Sequence, residues 1–271
     1  LNGNSSAGGA CSGIYFDMSA SPTAYSGGGG FAPSAGSDIQ CSFDYIHAEN
    51  WGGTAGRHAY WLVGDNANSK ELRTCRFFRC TARRNTSDSS VAGNAFNIDG
   101  ASDITFSNCG VGGYFNTAYS IGGGSCRMSF SGASYCEYSI QCTSSRFNLS
   151  HFSSQDCRYG INSSGADAQM NMLHLENHEQ YALQINAADF FGTGINVLHR
   201  TGGRYTATAT GMKIDNTSGL YLEGNVQGSN ITTPATRPGG SALTASSQLA
   251  GSTSRVNLKL PAGLIAFPTP I

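Results

Sequence analysis

The chain has 271 residues, of which 12% are charged, and its formal net charge is -1 at pH 7. This balance excludes a nucleic-acid-binding protein that relies on a basic surface, because phosphate contacts need clustered Lys and Arg side chains. It also offers no polybasic membrane anchor, and without a run of about 18 apolar residues we expect no membrane insertion.

In chain order, residues 1–37 are rich in Gly, Ser, Ala and Pro with little periodicity, which predicts an irregular N-terminal lead-in or cap. Over residues 38–228 short runs alternate apolar and polar positions, as β-strands do; among them are HAYWLV, CRFFRC, YSIQC, YGINSS and YALQIN. Three longer segments, residues 47–61, 81–94 and 199–210, are predicted to protrude as loops. Residues 229–271 lose the period and gain prolines, which predicts a separate C-terminal capping or oligomerisation segment with one strand, RVNLKL.

The runs recur at an interval of about 22 residues. Cys136 and Cys157 are 21 residues apart, and Phe130 and Phe152 are 22 apart. A unit of two or three short strands cannot bury its own apolar face, so we expect the units to stack with equivalent residues in columns about 4.8 Å apart. The sequence therefore predicts an all-β fold, namely a right-handed parallel β-helix with coils of about 22 residues.

The nine cysteines match neither a short disulfide framework nor a metal site. Cys75 and Cys80 are five residues apart, which is the wrong spacing for a zinc knuckle. We therefore predict buried free thiols, no metal ion and no cofactor, and assembly in a reducing cytoplasm.

The weakly charged repeats with Cys, Asn and Ser columns and the Pro-rich end resemble one known group. They are similar to the central body of a bacteriophage tailspike or tail-fibre polysaccharide depolymerase, in the pectate-lyase-like superfamily. The resemblance is one of architecture over residues 38–228, since the paired-Asp and Gly-His-Gly signatures of polygalacturonases and a pectate-lyase calcium pattern are absent.

The resemblance implies a homotrimer in the phage virion that binds and cleaves bacterial capsule or O-antigen polysaccharide. The sequence begins LNGN without Met. We therefore expect a piece of a longer protein, attached to other tail proteins through a preceding N-terminal part.

Four carboxylates in three consecutive units are the predicted catalytic residues: Glu137, Asp156, Glu176 and Glu179. Glycoside hydrolysis uses two carboxylates, about 5–5.5 Å apart for retention of the anomeric configuration or about 6.5–9.5 Å apart for inversion. The two carboxylates flank the scissile bond, so residues from neighbouring coils are suitable candidates.

Two arrangements of these residues remain open. With a 21-residue step Glu137, Arg158 and Glu179 form one column, which separates the glutamate backbones by about 9.6 Å. With a 22-residue step Asp156 falls beneath His178, and Glu179 leaves the column.

Polysaccharide binding needs aromatic platforms beside hydrogen-bonding groups, because sugars have apolar faces and hydroxyl-rich edges. Trp51 lies in a glycine-flanked loop close in sequence to Arg57. Together with Arg158 and His178, these two are the predicted substrate-binding residues.

Several functions are open at this point, and hydrolysis by general acid and base carboxylates is ranked first. A lyase on the same fold would instead abstract a proton from a uronic acid. A spike that binds glycan without cleaving it is a further alternative, as is a purely structural segment.

Overall fold

In the computed structural model of the chain, the residues described are 14–17, 30–31, 39–49, 58–63, 72–84, 93–165, 167–214, 219–227, 230–236 and 255–259. They form strands joined by turns and bends, and these ranges contain no helix. In particular, they hold no apolar helix of membrane-spanning length. The predicted all-β class is confirmed for this part of the chain.

The described residues form 21 strands. They are β1 (Ile14–Asp17), β2 (Gly30–Phe31), β3 (Ile39–Asp44), β4 (His47–Glu49), β5 (Tyr60–Val63), β6 (Leu72–Phe78), β7 (Thr81–Arg84), β8 (Phe96–Ser107), β9 (Gly110–Gly113), β10 (Thr117–Ser129), β11 (Gly132–Ser134), β12 (Tyr138–Cys142), β13 (Arg146–Gln155), β14 (Tyr159–Ser163), β15 (Asp167–Glu176), β16 (Tyr181–Ile185), β17 (Asp189–Leu198), β18 (Thr208–Ile214), β19 (Gly219–Gln227), β20 (Ile231–Thr236) and β21 (Arg255–Lys259).

Apart from β1, which pairs with the next strand β2 as well as with β5, the strands pair in parallel with counterparts one repeat away and not with their neighbours in sequence. The short strands β12, β14, β16 and β18 pair in that order, as do the long strands β13, β15, β17 and β19. A parallel pair needs a long connection, and here the rest of one repeat supplies it. The described strands belong to one sheet.

The core is built from columns of equivalent side chains. Towards the N-terminus the Phe77 ring stacks between Phe43 and Phe106, with centroid distances of 5.0 and 4.9 Å. In a second column Phe96 stacks on Tyr119 at 5.2 Å. Full burial of each such side chain contributes about 1.5–3 kcal/mol, so the columns hold successive repeats together.

Towards the C-terminus one core column is aliphatic. Ile140 pairs with Ile161, Ile161 with Leu183, and Leu183 with Met212. All four side chains are buried. The intervals along this column are 21, 22 and 29 residues, so the repeat lengthens after Leu183.

One predicted correspondence is wrong. The structure aligns Phe130 with His151, because Ser129 pairs with Ser150, whereas Phe152 pairs with Leu173 inside the core. Phe130 lies at a corner with φ 48° and is 59% exposed. The sequence match failed because an apolar residue occupies an exposed left-handed corner, where Gly or Asn is usual.

Parallel pairing extends into both segments predicted to differ from the repeats. Strand β1, within residues 1–37, pairs with β5. After residue 228, β20 pairs with β18 and β21 pairs with β19. Strand β21 coincides with the predicted strand RVNLKL except for its last residue.

The seven cysteines whose side chains are described are buried and free of disulfides: Cys75, Cys80, Cys109, Cys126, Cys136, Cys142 and Cys157. The Arg158 amide donates a hydrogen bond of 3.1 Å to the carbonyl of Cys136, so Cys136 and Cys157 lie on adjacent repeats. The predicted free thiols are confirmed for these residues.

Candidate functional site

The candidate site lies where a long strand turns into a short one. This corner is formed by Tyr135, Asp156 and Asn177 in three successive repeats, with φ of 62°, 53° and 56°. The Asp156 amide donates to the carbonyl of Glu176, which places Asp156 against Asn177. The alternative in which Asp156 falls beneath His178 is therefore wrong.

Glu137, Arg158 and Glu179 form a continuous row beside this corner, and we name it the carboxylate–arginine row. Arg158 Nη1 donates a hydrogen bond of 3.0 Å to Glu137 Oε1. On the other side Arg158 Nε lies 2.8 Å from Glu179 Oε2, and the geometry makes this contact an ion pair rather than a hydrogen bond. The hydrogen bond to Glu137, followed by the charge of that carboxylate, raises the pKa of Arg158.

The row combines features of both arrangements that the sequence left open. The backbone follows the 21-residue step at Asp156 and the 22-residue step after the corner, where Tyr159 pairs with Tyr181. Glu179 nevertheless stays in the row, contrary to the expectation for that step, because the long Arg158 side chain reaches it. The side chains of Arg158, Glu137 and Glu179 are 41%, 23% and 39% exposed, so solvent and a ligand reach all three.

Three tyrosines follow the row on the short strands. The Tyr138 and Tyr159 rings stack at 4.4 Å, and Tyr159 lies 5.2 Å from Tyr181 in a tilted arrangement. The Arg158 guanidinium carbon lies 5.5 Å from the Tyr159 ring centroid. Burial raises the pKa of Tyr138 and of Tyr181, so both hydroxyls stay protonated.

The loop of residues 199–207 is held against the corner. Asp156 Oδ1 accepts a hydrogen bond of 2.7 Å from the Arg204 amide, and Asn177 Oδ1 accepts one of 2.8 Å from the Arg200 amide. Asp156 is only 2% exposed. This predicted catalytic carboxylate is therefore occupied in fixing the loop.

Arg204 and Tyr205 extend the site, and sequence reasoning missed both. Arg204 Nη1 donates to the Tyr135 carbonyl at 3.2 Å, and its guanidinium carbon lies 5.3 Å from the Tyr114 ring and 5.1 Å from the Tyr205 ring. Burial raises the pKa of Tyr205 to about 12, with further influence from Arg204 and Glu179. The prediction that residues 199–210 protrude was the signal that could have found them.

Glu176 lies across the corner from the row. Its Oε2 is 2.9 Å from His174 Nε2, and its Oε1 is 3.8 Å from Arg200 Nε. Its side chain is mostly buried, at 11% exposure. Glu176 is thus a partner of His174 and the loop, and does not belong to the carboxylate–arginine row.

His178 is fully buried, which does not fit its predicted contact with substrate. Its Nε2 lies 2.8 Å from the Ser154 hydroxyl oxygen. Burial, followed by the nearby His199, lowers the pKa of His178 to about 3, so the ring is neutral. Trp51 and Arg57, the other predicted binding residues, lie outside the described residues.

In the described ranges, no group of three or more His, Cys, Asp or Glu side chains is arranged to hold a metal ion. No protein-family model matches the chain, and no curated protein or solved structure matches it either.

Proposed function

We propose that the chain is the body of a phage tailspike or tail-fibre protein that binds a bacterial surface polysaccharide and hydrolyses its glycosidic bonds. The proposed architecture is a right-handed parallel β-helix with coils of about 22 residues. It is supported by the parallel pairing of the strands β3 to β21 with counterparts one repeat away. The capsule or O-antigen chain is proposed to lie along the repeats, across the carboxylate–arginine row.

The observation that carries the proposal is the pair of part-exposed glutamates on either side of Arg158. Glu137 and Glu179 lie two repeats apart, or about 9.6 Å between backbones. Their flexible side chains allow a carboxyl separation within the range of about 6.5–9.5 Å that inversion requires. Arg158 between them fixes both carboxylates and provides donors for sugar hydroxyls.

In the proposed reaction one glutamic acid protonates the leaving glycosidic oxygen while the other carboxylate takes a proton from water. The water oxygen bonds to the anomeric carbon as the carbon–oxygen bond to the leaving sugar breaks. Tyr138 and Tyr159 border the row and offer aromatic surface to a sugar ring.

The other predicted residues receive supporting roles in this proposal. Asp156 and Glu176 position the loop of residues 199–207 through their contacts with Arg204 and Arg200. Trp51 and Arg57 remain predicted substrate-binding residues. The homotrimer, the location in the virion and the attachment through a preceding N-terminal part are proposed on the sequence resemblance.

Binding without cleavage is a second candidate, favoured by a specific observation. Each predicted catalytic carboxylate already has a partner within the protein: Glu137 and Glu179 contact Arg158, Asp156 accepts from the Arg204 amide, and Glu176 contacts His174. Satisfied carboxylates of this kind also suit a rigid binding surface.

The test is to incubate the purified chain with capsule or O-antigen polysaccharide and to measure both reducing ends and the absorbance of unsaturated uronates. New reducing ends without absorbance support hydrolysis, whereas absorbance indicates a lyase and bound but intact polysaccharide indicates a binding protein. We expect Glu137→Gln and Glu179→Gln each to lower the rate at least a hundredfold, because each removes one half of the acid–base pair. Asp44→Asn, an exposed carboxylate on β3, is the matched control and should keep the full rate.

A further inference from the structure

A groove of about 350 Å³ lies on the outer surface of β15, β17 and β19, and it shares no lining residue with the carboxylate–arginine row. Its outward-facing side chains include two aspartates, Asp167 and Asp189, and two aromatic residues, Phe191 and Tyr221. Sequence reasoning missed these residues. The 22-residue interval from Asp167 to Asp189 was the signal that could have found the acidic pair.

The aromatic half of the groove is a stacked pair. Phe191 and Tyr221 are register partners on adjacent strands, and their rings lie 4.7 Å apart with planes 13° from parallel. The Tyr221 hydroxyl donates to Glu223 Oε2 at 3.4 Å. The stack is therefore held in place before any ligand arrives, which lowers the entropic cost of binding.

Phe191 is 48% exposed at a position where the two preceding repeats have polar residues. Its register partner on β15 is Gln169, and the partner of Gln169 on β13 is Asn148. An aromatic side chain that stays exposed in a column of polar residues does not contribute the stabilising free energy of burial. Such exposure at the edge of a groove is typical of a surface that contacts a ligand.

The acidic half of the groove gives it a negative potential. Asp167 and Asp189 are direct register partners, so their backbones lie about 4.8 Å apart. Like charges placed opposite each other on neighbouring strands repel. Arg146 Nε lies 4.0 Å from Asp167 Oδ2, but both side chains are at least half exposed, so this ion pair offsets little of the repulsion.

We propose that this groove binds a neutral sugar residue of the polysaccharide. The apolar face of the sugar packs on Phe191 and Tyr221, and the sugar hydroxyls donate hydrogen bonds to Asp167 and Asp189. The paired carboxylates exclude uronic acids and other anionic sugars. The inference rests on the proposed function only in taking a polysaccharide as the ligand, and it does not depend on cleavage.

The experiment measures binding of the full chain to purified bacterial polysaccharides, divided into neutral and uronate-containing members. We expect the chain to bind one or more neutral members and Phe191→Ala to weaken that binding at least tenfold. Met172→Ala removes an exposed apolar side chain outside the groove and should bind as the parent does. Phe191→Trp keeps an aromatic surface, so it should bind and its fluorescence should change when the polysaccharide is added.

A double variant tests whether the two aspartates exclude anionic sugars. Replacing both aspartates, Asp167→Asn and Asp189→Asn, should allow uronate-containing members to bind, because the amides still contact hydroxyls without repelling an anion. Continued exclusion of those members by this variant would overturn the assigned selectivity.

Two results would overturn the site as a whole. One is the absence of binding to every neutral member, and the other is unchanged binding by Phe191→Ala. Measuring reducing ends in the same samples separates this inference from the proposed function. Binding that depends on Phe191 without new reducing ends would leave the inference standing and reject hydrolysis, whereas cleavage unaffected by Phe191→Ala would do the reverse.

Discussion

The Arg158 side chain contacts Glu179, although the backbone of Arg158 pairs with the residue that follows Glu179. The Gln180 amide donates to the Arg158 carbonyl at 2.9 Å, while Arg158 Nε lies 2.8 Å from Glu179 Oε2. One long cation thereby joins two carboxylates, one from each of the repeats that flank its own.

We predict that Arg158→Met lowers the free energy of unfolding by about 0.5–1 kcal/mol, because the ion pairs are partly exposed and solvent weakens them. The variant keeps the apolar stem but leaves Glu137 and Glu179 without their shared cation. Urea denaturation at low and high salt checks this prediction, and the loss should shrink at high salt. Arg127→Met, at an exposed position on β10, is the control. Equal losses for the two variants would contradict a specific role for the row.

The buried His178 makes stability depend on pH. Burial lowers the pKa of His178 to about 3 in the folded chain, against about 6.5 for the unfolded chain. Between about pH 3 and pH 6.5, His178 therefore binds a proton in the unfolded chain but stays neutral in the folded chain. Stability is fully present above about pH 6.5 and falls as the pH drops towards about 3.

We expect His178→Gln to show a smaller loss of stability than the parent chain between pH 6.5 and pH 5, by about 1.5–2 kcal/mol. Glutamine does not titrate and can keep the contact with Ser154. Chemical denaturation at the two pH values measures the difference. His151→Gln changes an exposed histidine and serves as the control. If the stability of the parent chain and of His178→Gln changed equally with pH, His178 would not be the origin of the pH dependence.

Met172 carries backbone strain that a substitution should relieve. Its φ is 51°, and its side chain is 62% exposed, so little burial stabilises it. Asn108 and Gly194 occupy equivalent corners with φ of 54° and 62°. Because Asn tolerates this conformation better than Met, Met172→Asn should raise the free energy of unfolding by about 0.5–1 kcal/mol.

Thermal unfolding of the Met172→Asn variant measures this gain. Gln155→Asn, at an exposed position without a positive φ, should give none. A fall in the unfolding temperature of Met172→Asn would show that the Met side chain makes a compensating contribution.

The buried thiols should resist alkylation in the folded chain. Burial raises the pKa of Cys126 well above its usual value and that of Cys142 to about 11. Since the thiolate is the reactive form, iodoacetamide at pH 8 should label neither residue until urea unfolds the chain. Peptide mass spectrometry gives the extent of labelling. A cysteine introduced by Ser153→Cys, at an exposed position, should be labelled in the folded chain. If Cys126 were alkylated there as fast as the introduced cysteine, burial would not protect Cys126.

The repeat and its core could be predicted because core positions leave a strong sequence pattern. Ile140, Ile161 and Leu183 recur at the same phase as Tyr138 and Tyr159, and the structure pairs them as predicted. The exposed corners carry no such constraint, since any residue that tolerates a positive φ is accepted there. For that reason Phe130 was matched with a core phenylalanine although its true counterpart is His151.

The candidate site was only partly predictable. The neighbourhood of Glu137, Arg158 and Glu179 follows from the period, but their contacts depend on the reach of a flexible side chain. The burial of Asp156 depends on the loop of residues 199–207 folding back over it, and no local pattern encodes that return. Contacts made by an irregular loop are long-range, so the interval between repeats gives no information about them.

Parallel pairing between counterparts one repeat apart has a consequence for how this gene can change. Duplication or loss of one whole repeat would leave the strands on either side of it with an equivalent neighbour, as in other repeat proteins. A deletion of a single residue within a strand instead shifts the side chains beyond it to the opposite face. The length of the molecule can therefore change in evolution by whole repeats. The alternation of inward-facing and outward-facing side chains within a strand cannot shift in the same way.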